Sequence, residues 1–318
     1  MSPNFLYSHV GHLVRRLQQI SVAVFLEETA ALAVTPVQFA ALVTIREHPR
    51  LDIQRLTNLV AVDRATLGTV IDRLMRSGLV ERTEDPRDRR SRVVQLRPAG
   101  AALLDKAAPL ASQAGLRLLR PLEDGERQVF EIYLRQLVHI GNDLSRVPVV
   151  SQGKSDRYLS LYSKPGYLVR RLQQICEGIF LDEVGELGLT PGQYAAIAVI
   201  AHANGEDNTH LANAIGLDKV TTGSIVQRLS ARGLIEIRVN PSDKRSKSLL
   251  LTPAGHDMLR AVQPRVSRAD ERVLDVFSQS DRLEFSRLLQ KVVELNNDVS
   301  RAPLKSTTRL RQPRSRKP

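Results

Sequence analysis

Apolar residues recur at helical spacing through most of the chain. From Leu6 to Val24 they lie three or four positions apart, which is typical of one face of an α-helix. Thr35 and Thr190 are each followed by Pro and, three positions after the Thr, by Gln, a pattern that predicts a capped helix start. After an amphipathic stretch that ends at Gly78, two short runs separated by a charged turn predict a β-hairpin, and two long helices follow. The pattern indicates a mainly α-helical fold with small β wings.

The whole pattern occurs twice. Residues 11–20 and 166–175 are identical at nine of ten positions, and matches continue at the same offset of 155 residues without a gap as far as Arg146. A period this long indicates a duplicated domain, since the repeats of solenoids are about 20 to 50 residues long. We predict a first domain over residues 1–146, a linker over 147–165, a second domain over 166–303 and a basic, disordered tail over 304–318.

The charge of the chain indicates the kind of partner. Lys and Arg outnumber Asp and Glu by 46 to 34, a net charge of +12, and without the six basic residues at positions 305–318 the net charge is still +6. A basic excess is typical of proteins that bind a polyanion, most often nucleic acid. Aromatic residues make up only 4% of the chain and Trp is absent, which argues against stacking on single strands. We therefore expect double-stranded DNA as the partner.

Other classes of protein are excluded by what the chain lacks. Cys176 is the only cysteine, so no intrachain disulfide or cysteine-rich zinc site can form, and we expect neither a metal nor a cofactor. The seven His are scattered, and no Gly-rich phosphate loop or nucleophile elbow occurs, so we do not expect an enzyme. With no signal peptide and no apolar run of about 18 residues, we expect a cytoplasmic, nucleoid-associated protein without a membrane partner. A lone Cys on an apolar helix is typical of a core position, and redox sensing is the alternative.

The amphipathic stretch that begins at residue 63 is a candidate DNA-recognition helix. A short helix, an amphipathic helix and a basic hairpin form a winged helix-turn-helix, whose second helix enters the major groove. Its outer face carries small residues, which let the backbone approach, and hydrogen-bond donors. For either copy alone, an ordinary solvent-exposed helix face is the alternative explanation. The predicted groove-facing residues are Arg64, Thr66, Gly68, Thr69 and Arg73 in the first copy and Lys219, Thr221, Thr222, Gly223, Ser224 and Arg228 in the second.

The hairpin tip concentrates positive charge. Residues 85–92 contain four Arg, and residues 240–247 contain three Lys or Arg. Repulsion between clustered cations is a cost that an anionic partner offsets, whereas the alternative is a solvated charged turn. The predicted wing residues for DNA binding are Arg87, Asp88, Arg89, Arg90 and Arg92 in the first copy and Asp243, Lys244, Arg245 and Lys247 in the second.

These residues resemble the MarR family of bacterial transcriptional regulators in both halves of the chain. The resemblance rests on the stretch from Asp63 to Leu79, on the Asp-Pro-Arg-Asp-Arg-Arg run of the wing and on the exit segment 96–100. It implies that Arg90 and Arg245 enter the minor groove, each oriented by the aspartate two positions before it. Because the family usually forms homodimers through terminal helices, it also implies two tandem winged helix-turn-helix domains with long dimerisation helices, which form an intrachain pseudo-dimer. Whether two such chains also pair as a homodimer of pseudo-dimers stays open.

The expected function is that of a sequence-specific repressor of a catabolic operon. A non-specific architectural DNA-binding protein of the nucleoid is the alternative. The two copies differ at Arg64/Lys219 and at Thr69/Ser224, so the expected operator is an imperfect palindrome. Its half-sites are expected about one helical turn apart.

The resemblance further implies that a small aromatic or heteroaromatic acid, bound between the DNA-binding lobe and the dimerisation helices, releases the DNA. A carboxylate needs cationic or hydrogen-bond-donating partners, and the first helix of each half offers them. Surface arginines on an amphipathic helix are an equally weighted alternative. The doubled layout and the length are similar to those of double-domain repressors of nicotinate catabolism, which makes a hydroxynicotinate an example of the expected effector. The predicted effector-binding residues are His12, Arg15, Arg16, Gln38, Tyr167, Arg170, Arg171 and Gln193.

Two departures from a regular pattern concern the segment after each hairpin. Pro109 and Pro264 fall inside the predicted long helices, where a missing N–H donor produces either a local bend or a hinge. Arg97 stands where Thr252 provides a helix cap in the second half, and a lost cap costs about 1 kcal/mol.

Overall fold

The computed structural model of the protein describes residues 3–85, 88–149, 160–203, 207–240 and 243–300. These residues form α-helices and two small antiparallel sheets, as predicted. None of their helices combines the length and the hydropathy of a membrane-spanning segment. The helices of the first half are α1 (Val10–Glu28), α2 (Pro36–Glu47), α3 (Ile53–Val60), α4 (Arg64–Arg76), α5 (Pro98–Leu118) and α6 (Asp124–Ile140). Those of the second half are α7 (Pro165–Val184), α8 (Pro191–Ala203), α9 (Asn208–Ile215), α10 (Lys219–Ala231), α11 (Pro253–Leu274) and α12 (Gln279–Leu295). The strands are β1 (Leu51–Asp52), β2 (Val80–Asp85), β3 (Asp88–Leu96), β4 (Ile235–Asn240) and β5 (Asp243–Leu251).

Both Thr-Pro signals start helices through the predicted capping box. Thr35 Oγ1 accepts a hydrogen bond from the Gln38 amide at 3.3 Å, and Gln38 Oε1 accepts one from the Thr35 amide at 2.9 Å. Thr190 and Gln193 make the same two bonds, at 3.3 and 2.9 Å, at the start of α8. Each Gln side-chain oxygen is therefore used at its own helix start, which explains why α2 and α8 begin where they do.

A hairpin follows the second short helix of each half. β2 and β3 pair antiparallel with Val80 opposite Leu96, and β1 pairs with the other edge of β3. In the second half, β4 and β5 pair with Ile235 opposite Leu251. The hairpins confirm the predicted β wings.

A glycine holds the helix after each hairpin close to the turn before it. A Cβ added to Gly100, on α5, would lie 2.0 Å from the carbonyl oxygen of Leu79. A Cβ added to Gly255, on α11, would lie 2.0 Å from that of Leu234. No other residue fits at either position, so the base of each hairpin is held between the recognition-helix turn and the long helix.

The described chain divides into two compact units. The smaller unit contains residues 3–9 and 187–264, with α8, α9, α10 and the β4–β5 hairpin. The larger unit contains residues 10–149, 160–186 and 265–300 of the described chain, apart from residues 86 and 87. The boundary within α11 falls after Pro264, one of the two prolines found inside helices as predicted. The domain limits predicted from the repeat are a separate division of the chain and stay a prediction.

The larger unit joins the end helices of both halves. α1 packs against α7 and α12, and α6 packs against the same two helices. At its centre the rings of Phe130 on α6 and Phe285 on α12 stack with centroids 5.6 Å apart, and both side chains are fully buried. Helices of the kind that join two subunits thus join two halves of one chain, which confirms the predicted pseudo-dimer.

A buried arginine on the first helix of each half completes this pairing. Arg16 and Arg171 are both 0% exposed, and each donates to the segment that follows the last helix of the other half. A buried cation is tolerated only where such acceptors surround it. The structure therefore corrects the prediction that these two arginines bind an effector, because they lie in the core. Arg16 donates to Asn297 at 2.9 Å and Ser300 at 3.3 Å, and Arg171 donates to Asn142 at 3.0 Å and Ser145 at 3.2 Å.

Candidate nucleic-acid interface

α4 is the second helix of a helix-turn-helix and starts at a side-chain cap. Asp63 Oδ1 accepts a hydrogen bond from the Thr66 amide at 2.9 Å, and its bonds to Thr66 hold the pKa of the Asp63 carboxyl below the ordinary value. Leu67, Ile71 and Leu74 are buried on the face that packs against α2 and α3. The cap and the buried face together direct the opposite face to solvent.

The predicted groove-facing residues of α4 lie on this outer face. Arg64, Thr66, Thr69 and Arg73 are exposed, and Gly68 is half-buried. Their side chains combine two cations with two hydroxyls. A helix face of this composition can donate hydrogen bonds to phosphates and to base edges.

α10 repeats the arrangement in the smaller unit. Asp218 Oδ1 accepts hydrogen bonds from the amides of Thr221 and Val220, at 2.9 and 3.0 Å, and these bonds lower the pKa of the Asp218 carboxyl. Gly223 is half-buried on the outer side. The other exposed residues of the predicted set are Lys219, Thr221, Ser224 and Arg228.

Thr222 is the exception in the predicted set. Its side chain is 0% exposed, and its hydroxyl donates to the Asp218 carbonyl oxygen at 2.8 Å. It lies on the same face as the buried Val226 and Leu229, at the position that Leu67 occupies in α4. Its assignment to the groove was wrong, and the helical spacing to Val226 and Leu229 was the signal that could have shown it.

Two exposed positions on the outer face were missed. Ala65 in α4 corresponds to Val220 in α10, and Asp72 corresponds to Gln227, and all four side chains are exposed. They lie three and four positions from the predicted residues 68 and 69 in α4 and 223 and 224 in α10. Reading the face by helical period rather than by side-chain chemistry would have included them.

Packing against the described residues does not require a glycine at position 68 of α4 or at position 223 of α10. A Cβ added to Gly68 would meet nothing within 4 Å, and one added to Gly223 would meet only Asn208 Nδ2 at 4.0 Å, an ordinary contact. Glycine inside a helix costs roughly 0.5–1 kcal/mol relative to alanine. A small residue is therefore kept on the outer face at some expense to helix stability.

The first module also carries a contact between its helix and its wing. Arg82 on β2 forms an ion pair with Asp72 on α4 at 3.2 Å. The corresponding residues of the second module are Ile237 and Gln227, which cannot form an ion pair. The outer face of α4 thus includes a neutralised acid that α10 lacks.

The wings are described in part. Arg92 on β3 and Lys247 on β5 are exposed. Arg87 lies outside the described residues. The side chains of six further predicted wing residues lie outside the description as well, namely Asp88, Arg89, Arg90, Asp243, Lys244 and Arg245.

The predicted difference in helix caps after the hairpins is observed. Thr252 Oγ1 accepts a hydrogen bond from the Gly255 amide at 3.0 Å and donates to the Gly233 carbonyl oxygen. Arg97 precedes α5 without a side-chain capping bond. The helix that leads out of the first wing therefore starts without the cap that its counterpart has.

The larger unit encloses a cavity of about 60 Å³, bordered by α1, α2, α5 and the start of α7. Its walls are largely apolar and include the rings of Phe25, Phe39 and Tyr167. Lys164 and Arg170 bring two cationic side chains to it. A space of this size exceeds what one water needs.

Gln18 adds a polar group to the same cavity. Its side chain lines the space, and its Oε1 atom is buried and accepts no hydrogen bond from the described residues. An unsatisfied buried acceptor is costly, so a ligand that donates a hydrogen bond there would recover that cost.

Arg170 connects the cavity to the helix-turn-helix. Its Nη1 donates to the Ala61 carbonyl oxygen at 2.8 Å, and its Nη2 donates to that of Val60 at 2.7 Å, at the end of α3. Gln174 Nε2 also donates to Ala61 at 3.0 Å. Burial lowers the pKa of the Arg170 guanidinium to about 10, so it remains charged at neutral pH. Two donors thus hold the Ala61 carbonyl and a third holds that of Val60, where α3 ends at Ala61 with φ of 53°, a left-handed conformation that is strained for alanine.

Two of the predicted effector-binding residues line this cavity, and the others do not. Tyr167 and Arg170 were predicted and line the cavity. Gln18 and Lys164 also line it, and they were not predicted. The remaining predicted residues have other positions. Gln38 and Gln193 cap helices, Arg16 and Arg171 lie in the core, and His12 Nδ1 lies 3.2 Å from Arg15 Nη2 on α1, outside the lining of this cavity.

Cys176 lies on α7 and is buried. Burial raises the pKa of its thiol. A buried, protonated thiol is typical of a core position and is a poor nucleophile. Among the described residues, no cluster of three or more His, Cys, Asp or Glu is placed to hold a metal ion.

Two helix-turn-helix units, each followed by a hairpin wing, define a winged-helix DNA-binding protein. Two models described as MarR family match the chain, one over residues 34–91 and one over residues 187–246. The protein belongs to the MarR family of transcriptional regulators.

Two curated relatives and one solved structure each match less than half of the chain. The HTH-type transcriptional repressor NicR of Pseudomonas putida is 34% identical over 137 residues, which cover 43% of this chain and 87% of NicR. The multiple antibiotic resistance protein MarR of Escherichia coli is 31% identical over 104 residues, which cover 33% of this chain and 72% of MarR. The crystal structure of the PcaV regulator from Streptomyces coelicolor with its natural ligand is 30% identical, covers 42% of this chain and 94% of PcaV, and has a TM-score of 0.40. NicR is named as a transcriptional repressor.

Proposed function

We propose that the protein is a repressor that recognises a specific double-stranded operator through α4 and α10, with both hairpin wings on the DNA backbone and minor groove. The observation that supports this most strongly is the pair of capped helices, each with an exposed face of cations, hydroxyls and a glycine that packing does not require. The net charge of +12 supports attraction to a polyanion. One relative, NicR, is itself named a transcriptional repressor.

The operator is an imperfect palindrome in this proposal. Arg64 offers a planar guanidinium that can bind guanine through two hydrogen bonds, whereas its counterpart Lys219 offers a single ammonium. Unequal side chains at equivalent positions favour unequal half-sites. Two symmetric operators can be made, each with two copies of one half-site. Both are expected to bind the protein more weakly than the natural operator, and by different amounts.

Selection from a pool of random duplexes tests the proposal. The full chain is expected to enrich one sequence family and to bind it at least about a thousandfold more tightly than genomic competitor DNA at the same salt concentration. Equal affinity for the selected and the genomic DNA would overturn the proposal and would favour the architectural alternative, in which charge alone drives binding.

The proposed effector is a small aromatic or heteroaromatic carboxylate, for example a hydroxynicotinate, bound in the cavity of the larger unit. Phe25, Phe39 and Tyr167 provide flat apolar walls for a ring, and Arg170 and Lys164 provide partners for a carboxylate. A ring hydroxyl or ring N–H would donate to Gln18 Oε1, the buried acceptor. Release by such an acid fits the control of an operon whose enzymes degrade it.

Arg170 gives this proposal a mechanism. The guanidinium that would bind the carboxylate is the group that holds the end of α3, the helix directly before α4. A carboxylate competes with two backbone carbonyls for the same donors and, being charged, forms the stronger hydrogen bonds. Binding would loosen α3 from α7, and the position of α4 would change with it.

Thermal unfolding with a panel of acids tests the effector. Benzoate, nicotinate and a hydroxynicotinate are compared at millimolar concentration, and the acid that fits is expected to raise the unfolding temperature and to release the selected duplex. The same acid should have no effect on the variant Phe39→Trp, which fills the cavity. A panel without any stabilising acid, or an equal shift in the filled variant, would overturn the cavity as the effector site.

A further inference from the structure

Val220 is the most exposed large apolar side chain of the described residues, at 84%. It is the second residue of α10, directly after Lys219. Isolated exposed apolar residues are common on protein surfaces, so the exposure alone means little. The position carries the inference, because the first turn of a recognition helix is the part that reaches base edges in the major groove.

The surroundings of Val220 are polar and basic. Ser224 and Gln227, four and seven positions later, continue the same face and are exposed. Arg228 is exposed beside them. Val220 is therefore an apolar spot within a stripe of hydrogen-bonding side chains, which matches a groove floor where most groups are donors or acceptors and the thymine C5-methyl is apolar.

Val220 brings no evident benefit to the protein without DNA. Its side chain is almost fully in solvent, so it contributes little burial energy to folding. Valine is also a weaker helix former than alanine, which occupies the corresponding position, Ala65, in α4. The two additional methyl groups extend further from the helix than the single methyl of Ala65.

We propose that Val220 contacts the C5-methyl group of a thymine in the half-site that α10 reads, and that Ala65 makes no equivalent contact in the other half-site. The proposal rests on operator binding as the function of α10. It assigns a base preference to one module by apolar contact, in addition to the hydrogen bonds of the polar residues.

Deoxyuridine substitution tests the contact at the level of one methyl group. In the selected operator, each thymine is replaced singly by deoxyuridine, which removes the C5-methyl and leaves the base pair unchanged. Burying one methyl group corresponds to about a fourfold change in affinity. The full chain is expected to lose about fourfold in affinity at one thymine of one half-site, and the variant Val220→Ala is expected to bind the thymine and the deoxyuridine duplex equally at that position.

The variant Ala65→Val is the matched control. It carries the same change in side-chain size at the same position of the other recognition helix, so it should alter the response to deoxyuridine in the other half-site alone. Circular dichroism shows whether each variant keeps its helices, which is expected for side chains this exposed.

The outcomes separate this inference from the proposed function. A Val220→Ala variant that keeps the same loss at every deoxyuridine position would overturn the contact while leaving operator binding intact. The contact would also be overturned if the half-site read by α10 contained no thymine, or if no deoxyuridine substitution changed the affinity of the full chain. Operator binding would remain intact in both cases. If no duplex is bound selectively, the proposed function is overturned, and the valine contact with it.

Discussion

α4 and α10 start in the same way but carry different side chains at several positions. Both begin at an Asp cap, and both contain a glycine at the fifth helical position. The outer face of α4 carries Ala65 and Asp72, whereas α10 carries Val220 and Gln227. On the buried side, Thr222 of α10 replaces Leu67 of α4. The comparison therefore shows one helix framework whose two copies present different residues to solvent.

The wing side of the two modules differs in the same sense. In the first module, Arg82 neutralises Asp72 across the helix and the hairpin. In the second, the corresponding residues Ile237 and Gln227 are uncharged, so they cannot form such an ion pair. The two modules therefore differ at this position, because an ion pair joins helix and hairpin in the first and no ion pair can form between the corresponding residues of the second.

The largest expected effect concerns the support beneath the first module. Arg170→Leu removes two charged hydrogen bonds from the end of α3, where Ala61 is left-handed, and should lower the free energy of unfolding by about 2 kcal/mol. Urea unfolding measures the change. Arg46→Leu is the control, since Arg46 is 42% exposed and pairs with Asp105 at the surface, and its effect should stay within about 0.5 kcal/mol. Equal effects of the two substitutions would contradict a special role of Arg170.

The wing arginines sharpen the comparison of the two half-sites. Arg90→Ala and Arg245→Ala should each weaken operator binding by about tenfold and lower the salt slope by about one unit, since each removes one cation from the phosphates. Fluorescence anisotropy over a range of salt concentrations measures both quantities. Arg260→Ala, which removes a 71% exposed cation from α11, should leave the slope unchanged. A slope that does not respond to either wing variant would exclude the wings from the interface.

The glycines should separate stability from binding. Gly68→Ala and Gly223→Ala should each raise the free energy of unfolding by about 0.5–1 kcal/mol, because the added Cβ has room and alanine favours the helix. Each should also weaken operator binding several-fold, since the methyl group keeps the backbone away from the groove. Chemical denaturation and a binding titration give the two numbers. A variant that gains stability and keeps full affinity would show that close approach is not needed there.

The smallest expected effect on stability concerns Glu126, an acid in the first turn of α6. Glu126, on α6, accepts hydrogen bonds from Lys291 and Arg287 of α12, and these bonds lower the pKa of its carboxyl to about 2. A lowered pKa stabilises the fold above the ordinary value of 4.5, and this contribution is lost as the pH falls toward 2. Glu126→Gln should therefore reduce stability by about 0.5 kcal/mol at neutral pH and by progressively less below pH 4.5. A reduction that stays constant down to pH 3 would contradict the ion pairs as its cause.

Local sequence signals were sufficient to predict where helices of both modules begin and end. Thr35, Thr190 and Gly78 act through their own backbone neighbourhood, so their roles as caps and as a stop can be read without knowing the fold. The repeat of 155 residues then implied that what holds for one half holds for the other.

The neighbouring arginines of the first helices show where such reasoning fails. Arg170 and Arg171 are adjacent in sequence, yet one lines a cavity and the other is buried in the core. The difference depends on acceptors far along the chain, the carbonyls of α3 for Arg170 and Asn142 for Arg171. No local pattern reveals which side of a helix another half of the molecule will cover.

The number of chains on one operator tests the central claim that a single polypeptide supplies both reading modules. Native mass spectrometry of the selected duplex with the full chain, combined with hydroxyl-radical footprinting, gives the stoichiometry and the protected bases. The account predicts one chain per duplex and two protected stretches about one helical turn apart, which is about 10 base pairs. Two chains per duplex, each protecting a single stretch, would contradict it.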